Sequence, residues 1–209
     1  MRFVSPVRRT GLLGSSLKAT SLFGRRIHPV TGKSSTHNGL DLGIPQGTPV
    51  FAAAPGLVQS ADGTCRNKIS GGFVNLKHAD GSRTGYVHLS RVDVRPGQQV
   101  ERWTQLGLSG GKKGSPCSGR STGPHLHFIV RPDGKNSTDP VPLVNWYPFD
   151  LTYRGRKIAV ASRKWGGAVS AIRQMPWWGI ALGSAVGVAL LVLIVKRPTR
   201  KALPLRKQF

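Results

Sequence analysis

Histidine and aspartate side chains recur along the chain at spacings that suit a metal site. His37 and Asp41 are four residues apart, and Gly39 between them permits a tight backbone path. His125 and His127 are separated by one residue, so on a β-strand they would project from the same face, about 6.5–7 Å apart. A catalytic zinc ion usually takes three ligands from His, Asp and Glu and leaves a fourth position for water. His37, Asp41 and one member of the His125/His127 pair supply that number of ligands.

The histidines that remain after three ligands are chosen suit acid–base chemistry. They are His88 and the second member of the His125/His127 pair. A neutral imidazole can orient water, accept its proton or stabilise an oxyanion. Because zinc lowers the pKa of bound water to about 7, such an imidazole is a competent base near neutral pH.

The elements that must position these residues are short strands. Between Phe23 and Asp150, short apolar runs alternate with Gly, Pro, Asp and Asn, and no helical period of 3.6 residues is present. The apolar runs are Thr48–Ala52, Gly56–Val58, Phe73–His78, Tyr86–Leu89 and His125–Val130, with Asp-Gly turn signals at 62–63, 80–81 and 133–134. This pattern predicts a mainly β domain of antiparallel strands over residues 21–150.

Length and charge narrow the classes of protein to which the chain can belong. Its 209 residues leave room for one ordinary domain plus appendages, which excludes a large multidomain machine. The 31 Lys and Arg against 8 Asp and Glu give a formal net charge of +23, which favours polyanionic surroundings such as nucleic acid, anionic lipid or an acidic cell-wall polymer. All the acids lie between Asp41 and Asp150. The C-terminal quarter is therefore basic throughout, and we interpret it as a segment separate from the domain.

The segments on either side of the domain have their own compositions. Residues 1–20 are basic without a long apolar run, and we interpret them as a flexible lead that is not a cleaved signal peptide. Residues 151–174 are predicted to be a basic linker. Residues 175–195 contain no charged side chain and are predicted to form a transmembrane helix, followed by a basic tail at 196–209.

The predicted transmembrane helix carries small residues at a spacing that allows close helix contact. Gly179, Gly183 and Gly187 lie on one helix face as two overlapping GxxxG steps, which leaves self-association and chance occurrence of small residues as equal alternatives. Basic residues flank both ends of the span, with a slight excess after it. The positive-inside rule therefore gives a slight preference for a cytoplasmic C-terminus.

Several sequence blocks occur in the order found in one known family. The blocks are Phe23–Pro29, His37–Asp41, Gly47–Val50, Tyr86–Ser90 and Ser121–Phe128. Together they cover about residues 23–131, and in this stretch the chain resembles the lysostaphin-type (LytM-like) zinc metalloendopeptidases. The resemblance implies a largely antiparallel β fold with a groove across it, and cleavage of peptide bonds in the stem peptides or cross-bridges of peptidoglycan.

Carried over by position, the resemblance also implies a role for each site residue. His37, Asp41 and His127 would bind one Zn²⁺ ion. His88 and His125 match the two catalytic histidines of the family, which position and deprotonate water and stabilise the tetrahedral intermediate. His28 and His78 match no ligand, so we interpret both as structural or groove-lining.

Two departures from the family pattern bear on specificity, and one pairing stays open. Ile129 stands where relatives often carry Glu, which leaves the ligands intact but alters their surroundings. The segment Gly110–Gly119 is longer and more basic than usual, which puts the substrate preference in doubt.

Cys65 and Cys117 are either disulfide-bonded or two unrelated thiols, since the sequence cannot give their separation.

The leading hypothesis is a membrane-anchored zinc metalloendopeptidase with peptidoglycan as substrate and its catalytic domain facing the cell wall. One alternative is a non-catalytic relative that binds wall peptides or activates another hydrolase, although such a protein would be expected to lose ligands. A second alternative is a virion membrane protein of a bacteriophage, in which the wall-cutting domain serves entry or release and the basic tail contacts nucleic acid.

Overall fold

The computed structural model describes residues 3–9, 13–27, 32–66 and 68–159. In these residues the only helix is a 3₁₀ helix at Val141–Leu143, and the other elements are fifteen strands. They are β1 (Phe3–Val4), β2 (Ser16–Ser21), β3 (Gly24–Ile27), β4 (Ser34–His37), β5 (Leu40–Gly43), β6 (Pro49–Phe51), β7 (Gly56–Asp62), β8 (Gly72–Lys77), β9 (Arg83–Val92), β10 (Gln99–Val100), β11 (Gln105–Ser109), β12 (Leu126–Arg131), β13 (Val144–Asn145), β14 (Asp150–Tyr153) and β15 (Arg156–Ala159).

One large sheet organises most of these strands. Its hydrogen-bonded order is β10-β7-β8-β9-β12-β5-β2-β14-β15, and β11 also pairs with β9 and carries β6 on its other edge. Every neighbouring pair in it is antiparallel except β2 and β14, which run parallel. Two small sheets, β1-β13 and β3-β4, complete the described strands. The prediction of a mainly β, largely antiparallel domain is confirmed.

The core lies on one face of the central strands because their sequences alternate with period two. Tyr86 on β9 and Phe128 on β12 are fully buried, and their ring centroids are 5.4 Å apart. The Tyr86 hydroxyl accepts a hydrogen bond of 2.8 Å from the Ala53 amide, which ties the sheet to the segment after β6. The adjacent residues Val87 and His127 point to the opposite face, where Val87 is partly exposed.

His78 belongs to this core and to no site. Its Nδ1 donates a hydrogen bond of 2.8 Å to the Pro55 carbonyl, and its Nε2 lies 2.9 Å from the Thr84 hydroxyl. Its ring packs on Phe3 with centroids 5.4 Å apart. Both histidines were predicted to be structural or groove-lining. His78 is structural by these contacts, whereas His28 lies outside the described residues.

The prediction of a separate flexible lead over residues 1–20 is wrong for the residues that the structure describes there. Strand β2 lies in the large sheet between β5 and β14, and Leu17 and Ala19 on it are buried. Phe3 and Val7 are buried as well. The apolar residues here are spaced two apart in a short strand, a pattern that the surrounding basic residues obscure.

The domain also extends further toward the C-terminus than predicted. The boundary at residue 150 is wrong, because β14 and β15 carry the sheet through Ala159 and Leu151 is fully buried. None of the helices in the described part of the chain is long and apolar enough to cross a membrane. The predicted span at 175–195, its Gly179, Gly183 and Gly187 face, the tail at 196–209 and residues 160–174 of the linker lie outside the described residues.

Candidate metal centre

The pairing of three strands brings distant residues to one place. Strand β12 runs antiparallel to β5 with His127 opposite Asp41, so these two side chains project from the same face. His37 is the last residue of β4, and the two-residue connection Asn38-Gly39 returns the chain directly into β5. The i, i+4 spacing of His37 and Asp41 therefore spans a tight turn between strands.

His37, Asp41 and His127 form a compact buried cluster. His37 Nε2 lies 3.1 Å from Asp41 Oδ1 and 3.0 Å from His127 Nδ1. The third side of the triangle, from His127 Nδ1 to Asp41 Oδ1, measures 2.7 Å. All three residues are buried, with 5–8% of their surface exposed. Within the described residues this is the one group of His, Cys, Asp or Glu side chains close enough to share a metal ion.

The outward hydrogen bonds of the two imidazoles decide which nitrogens face the cluster. His37 Nδ1 lies 2.7 Å from the Leu22 carbonyl oxygen, which only accepts, so in the neutral ring Nδ1 carries the proton and Nε2 has its lone pair toward the cluster. His127 Nε2 donates in the same way to Asn38 Oδ1 at 3.0 Å, which leaves the lone pair on Nδ1. With Asp41 Oδ1 added, three ligand atoms lie within 3.1 Å of one another, an arrangement that suits a cation.

The dimensions and ligand types of the cluster fit a single Zn²⁺ ion. Zinc binds imidazole nitrogen and carboxylate oxygen at about 2.0–2.2 Å, which places tetrahedral ligands roughly 3.3 Å from one another. The three sides of 2.7–3.1 Å are close to that separation. Two imidazoles and one carboxylate are typical ligands of a catalytic zinc ion, because three protein ligands leave the fourth coordination position open for water or substrate.

The charges of the cluster also suit a divalent cation. Burial favours the neutral acid of Asp41, but hydrogen bonds from His127 and His37, in the tautomers that donate to the carboxylate, outweigh burial and hold the pKa of that carboxyl well below its usual range. Burial lowers the pKa of His127, so its imidazole is neutral. An ionised carboxylate and a neutral imidazole are the protonation states that metal binding requires.

His125 lies beside this cluster with its own orienting bonds. Its Nδ1 donates to the Gly123 carbonyl at 2.8 Å and lies 3.1 Å from the Ser121 hydroxyl oxygen. In the neutral ring this leaves the lone pair on Nε2, which lies 3.6 Å from Asp41 Oδ1. A lone pair held next to the open ligand position can accept a proton from water placed there.

His88 reaches the same place through an irregularity in β9. Its φ is 62°, and its amide donates to the Ser70 carbonyl at 3.0 Å instead of to a neighbouring strand. A non-glycine residue in this left-handed conformation is strained, and a bulge of this kind redirects the side chain. The His88 ring lies 4.7 Å from that of His125, centroid to centroid. The structure thus brings all five predicted site residues together.

The environment of His88 keeps its imidazole neutral. Burial, followed by the neighbouring imidazoles of His125 and His127, lowers its pKa to about 4. Its Nδ1 is buried and has no hydrogen-bond partner among the described residues. Buried polar atoms without a partner are rare in proteins, and a catalytic role is one reason for them.

Sequence reasoning missed a residue that supports the carboxylate. Arg26 Nη1 lies 3.4 Å from Asp41 Oδ2 and also bonds the Ser21 hydroxyl, so it holds the oxygen that faces away from the histidines. The basic pair Arg25-Arg26 inside the block Phe23–Pro29 is the signal that would have singled it out. Asn38 and the Leu22 carbonyl were missed too, because their role depends on contacts across strands.

A disulfide joins the two long loops beside the site. Cys65 in the β7–β8 loop is bonded to Cys117 in the β11–β12 loop, with their Cα atoms 4.8 Å apart. The Arg120 amide donates to the Ile69 carbonyl at 2.8 Å next to this bridge. The question that the sequence left open is settled in favour of the bridge. It ties the loop whose Ser70 carbonyl accepts from the His88 amide to the loop that leads into His125.

Comparison with known proteins places this site in a family context. Residues 35–140 match the model of a family described as peptidase family M23. This range contains all five site residues and about half of the chain.

Individual relatives agree with that match. The chain is 42% identical over 109 residues to the peptidoglycan DD-endopeptidase ShyA of Vibrio cholerae, over 51% of this chain and 23% of ShyA. It is 39% identical over 143 residues to the peptidoglycan DD-endopeptidase ShyC of the same organism, over 67% of this chain and 30% of ShyC. The chain thus spans less than a third of the length of these two relatives.

A solved structure shares both fold and sequence with the chain. It is the crystal structure of a zinc-containing peptidase from Vibrio cholerae, with a TM-score of 0.54 and 32% identity. The match covers 66% of this chain and 39% of that peptidase.

Proposed function

This chain belongs to peptidase family M23, and we propose that it is a zinc metalloendopeptidase that hydrolyses peptide bonds of peptidoglycan. The membership confirms the resemblance to lysostaphin-type (LytM-like) enzymes at the level of the family. The observation that carries the proposal is the convergence of three lone pairs from His37, Asp41 and His127, with two further histidines beside the open position. A binding module without chemistry has no need of those two histidines.

Each residue of the centre has a separate task in this proposal. His37 Nε2, His127 Nδ1 and one oxygen of Asp41 hold the metal ion. When bound, zinc supplies Lewis acidity, which polarises a peptide carbonyl and lowers the pKa of water at the site to about 7. Asn38 and the Leu22 carbonyl fix the tautomers of the two imidazole ligands, and Arg26 fixes the carboxylate.

His125 and His88 carry the proton and the developing charge. His125 Nε2 accepts the proton of the attacking water, because Nδ1 is held as a donor by Gly123. The same nitrogen then delivers that proton to the departing amine. His88 is neutral, and its one N–H stabilises the oxyanion on the scissile carbonyl once it turns from the Ser118 backbone to the substrate.

The test compares the full-length protein with two matched His→Gln variants. Wild type is expected to bind one zinc ion and to release new amino groups from purified peptidoglycan. His127→Gln is expected to lose both zinc and activity, whereas His88→Gln is expected to keep zinc and lose activity. Zinc content by elemental analysis and product identification by mass spectrometry give the two readouts, with chelator treatment and zinc restoration as the control.

Two outcomes contradict the proposal. If wild type holds zinc but cleaves neither peptidoglycan nor synthetic cross-linked stem peptides, the domain is a binder or hydrolase activator. If His88→Gln keeps full activity, the role of His88 in stabilising the oxyanion is wrong, even if the protein does hydrolyse peptidoglycan.

We further propose that residues 175–195 anchor the protein in a membrane with the peptidase domain facing the cell wall. The support is the run of uncharged residues with Trp177 and Trp178 at one end and Lys196 and Arg197 at the other. Full-length protein is expected to stay with membranes after a carbonate wash, and a chain ending at residue 174 is expected to be released. Release of both forms would refute the anchor.

The other proposals about the C-terminal region depend on that anchor. Self-association through Gly179, Gly183 and Gly187 predicts a dimer in detergent that Gly183→Ile abolishes. A virion membrane location, with residues 196–209 contacting nucleic acid, predicts salt-sensitive binding of DNA by the full chain that the shorter form lacks.

A further inference from the structure

Three basic side chains form a row across neighbouring strands of the large sheet. Arg131 on β12 lies opposite Arg83 on β9, and Arg83 lies opposite Lys77 on β8. Directly opposed residues on antiparallel strands have Cβ atoms about 4.5–5.5 Å apart, and like charges in that position destabilise the sheet. The repulsion from Arg83, together with the larger effect of burial, lowers the pKa of Arg131.

No acid of the described residues neutralises the two arginines. Arg26 and Arg91 each have a carboxylate partner, Asp41 and Asp93, but neither Arg83 nor Arg131 forms an ion pair in the described part of the chain. Nearby acids are engaged within their own turns. Asp133 accepts from the amides of Lys135 and Asn136, and Asp80 accepts from Ser82.

The two arginines line a concavity with further polar groups. Its volume is about 640 Å³, and its lining includes Gln59, Ser60, Asn75, Arg83, Arg131 and Lys135. Arg83 Nε is buried and lacks a hydrogen-bond partner among the described residues. Both arginines are half-buried, so a ligand here would meet guanidinium groups that have already lost part of their water.

Residue 129 leaves this charge uncompensated. Ile129 lies between His127 and Arg131 on the same face of β12 and is 5% exposed. A glutamate at this position would place a negative charge next to both arginines. With isoleucine there, the basic pair is free to accept an anion from outside.

The geometry of β12 gives the position of the concavity relative to the metal cluster. Residues 127, 129 and 131 project from one face, so the concavity shares a sheet face with the metal cluster. Arg131 lies four residue steps along the strand from His127, which corresponds to about 13 Å. An extended peptide of about four residues covers the same distance.

We propose that Arg83 and Arg131 bind a carboxylate of the peptide substrate about four residues from the bond that is cleaved. The proposal rests on the proposed function, because it takes the peptide to be a cell-wall peptide. Planar guanidinium groups bind carboxylate in a bidentate manner, and Asn75 and Ser60 offer hydrogen bonds at the rim. A peptide carboxylate is favoured over a separate polyanion because the arginines and the metal cluster lie on one face within the reach of one peptide.

The experiment measures kcat and KM of the full-length zinc-loaded protein on two synthetic cross-linked stem peptides. One peptide carries free carboxylates and the other has them converted to amides. The variants are Arg83→Gln/Arg131→Gln and, as a matched control on another surface, the exposed Arg95→Gln. Binding of an uncleavable product peptide with free carboxylates is measured by calorimetry, as a readout that does not depend on turnover.

The double variant is expected to raise KM for the carboxylate peptide about tenfold or more, since a hydrogen bond to a charged group is lost at each arginine. Its kcat should change little, and its kinetics on the amidated peptide should match wild type, which also shows that it folds. Product binding should weaken by a similar factor. Arg95→Gln should behave as wild type throughout.

Several results would overturn the carboxylate subsite. An equal rise in KM for both peptides, or the same effect from Arg95→Gln, would show a general charge effect. Displacement of the product peptide by inorganic phosphate at lower concentration than by acetate would indicate a phosphate site. If wild type cleaves neither peptide but binds the carboxylate product through the arginines, the proposed function fails and the subsite stands.

Discussion

Replacement of Gly39 by alanine tests whether the close contact of β5 and β12 sets the metal centre. A Cβ at this position would lie 2.6 Å from the Phe128 carbonyl oxygen, 2.8 Å from His127 Cε1 and 2.9 Å from His127 Nε2. Ordinary contacts begin at 3.4 Å, so the two strands or the ligand ring must move by about 0.8 Å. The φ of Gly39 lies outside the left-handed region, so the cost is steric.

This displacement acts on stability and on chemistry separately. Overpacking in a close-packed interior costs about 1–3 kcal/mol, which lowers the Tm of a domain of this size by about 2–12 °C. A shift of about 1 Å in a catalytic group lowers the rate by roughly 100-fold, so kcat/KM should fall by about 10- to 100-fold. Zinc affinity should fall as well, because His127 is a ligand and its Nε2 loses alignment with Asn38.

The assay combines thermal unfolding, competition for zinc with a chelator, and hydrolysis of a cross-linked peptide at saturating zinc. Gly14→Ala is the matched control, since nothing lies within 4 Å of its Cβ and its φ is also outside the left-handed region. Gly14→Ala should leave zinc affinity and kcat/KM unchanged. If Gly39→Ala keeps wild-type zinc affinity and kcat/KM, the close approach of Gly39 to His127 does not position the ligand.

Three further predictions follow from contacts outside the ligand set. Burial lowers the pKa of His78 below 6.5, so the folded state resists protonation and stability should fall as the pH drops below 6.5; His78→Asn should flatten this dependence in urea titrations between pH 7 and 5. Replacing both Cys65 and Cys117 by serine removes a bridge across a sequence separation of 52 and should cost about 2–4 kcal/mol in urea unfolding. Arg26→Gln should weaken zinc binding about tenfold, measured by chelator competition, because Asp41 loses its partner.

Each of these predictions has an outcome that contradicts it. An unchanged slope of stability against pH in His78→Asn would show that other groups cause the acid sensitivity. Equal stability of the double serine variant and the oxidised wild type would show that the bridge does not constrain the unfolded chain. Retention of wild-type zinc affinity in Arg26→Gln would remove Arg26 from the support of the carboxylate.

The strands that carry the site were predictable because their signals are local. Alternating apolar residues in the runs that became β8, β9 and β12 follow from the period of two along a strand, which any window of the sequence displays. The basic lead and linker were misjudged for the opposite reason. β14 is stabilised by pairing with β2, and β2 also pairs with β5, so the partners are far away in the chain, and the strands themselves are only four and six residues long.

Choosing between His125 and His127 as ligand shows how far spacing can go. The i, i+2 pattern places both on one face, and no property of the two residues alone tells them apart. The resemblance to a family pointed to His127, and the register explains the choice. His127 lies opposite Asp41, while His125 lies before β12 begins and pairs with Gly110.

The sequence by itself determined the residue types of the centre, the β class of the domain and the family to which it belongs. These properties depend on side-chain chemistry and on sequence spacings of two to four residues, which are the same in the unfolded and the folded chain. The tertiary structure alone decided which nitrogens turn their lone pairs inward, that Cys65 meets Cys117, and that Arg83 faces Arg131 without an acid. Those features depend on strand register and loop closure, where residues far apart in sequence come within a few ångströms, and local sequence carries no measure of that distance.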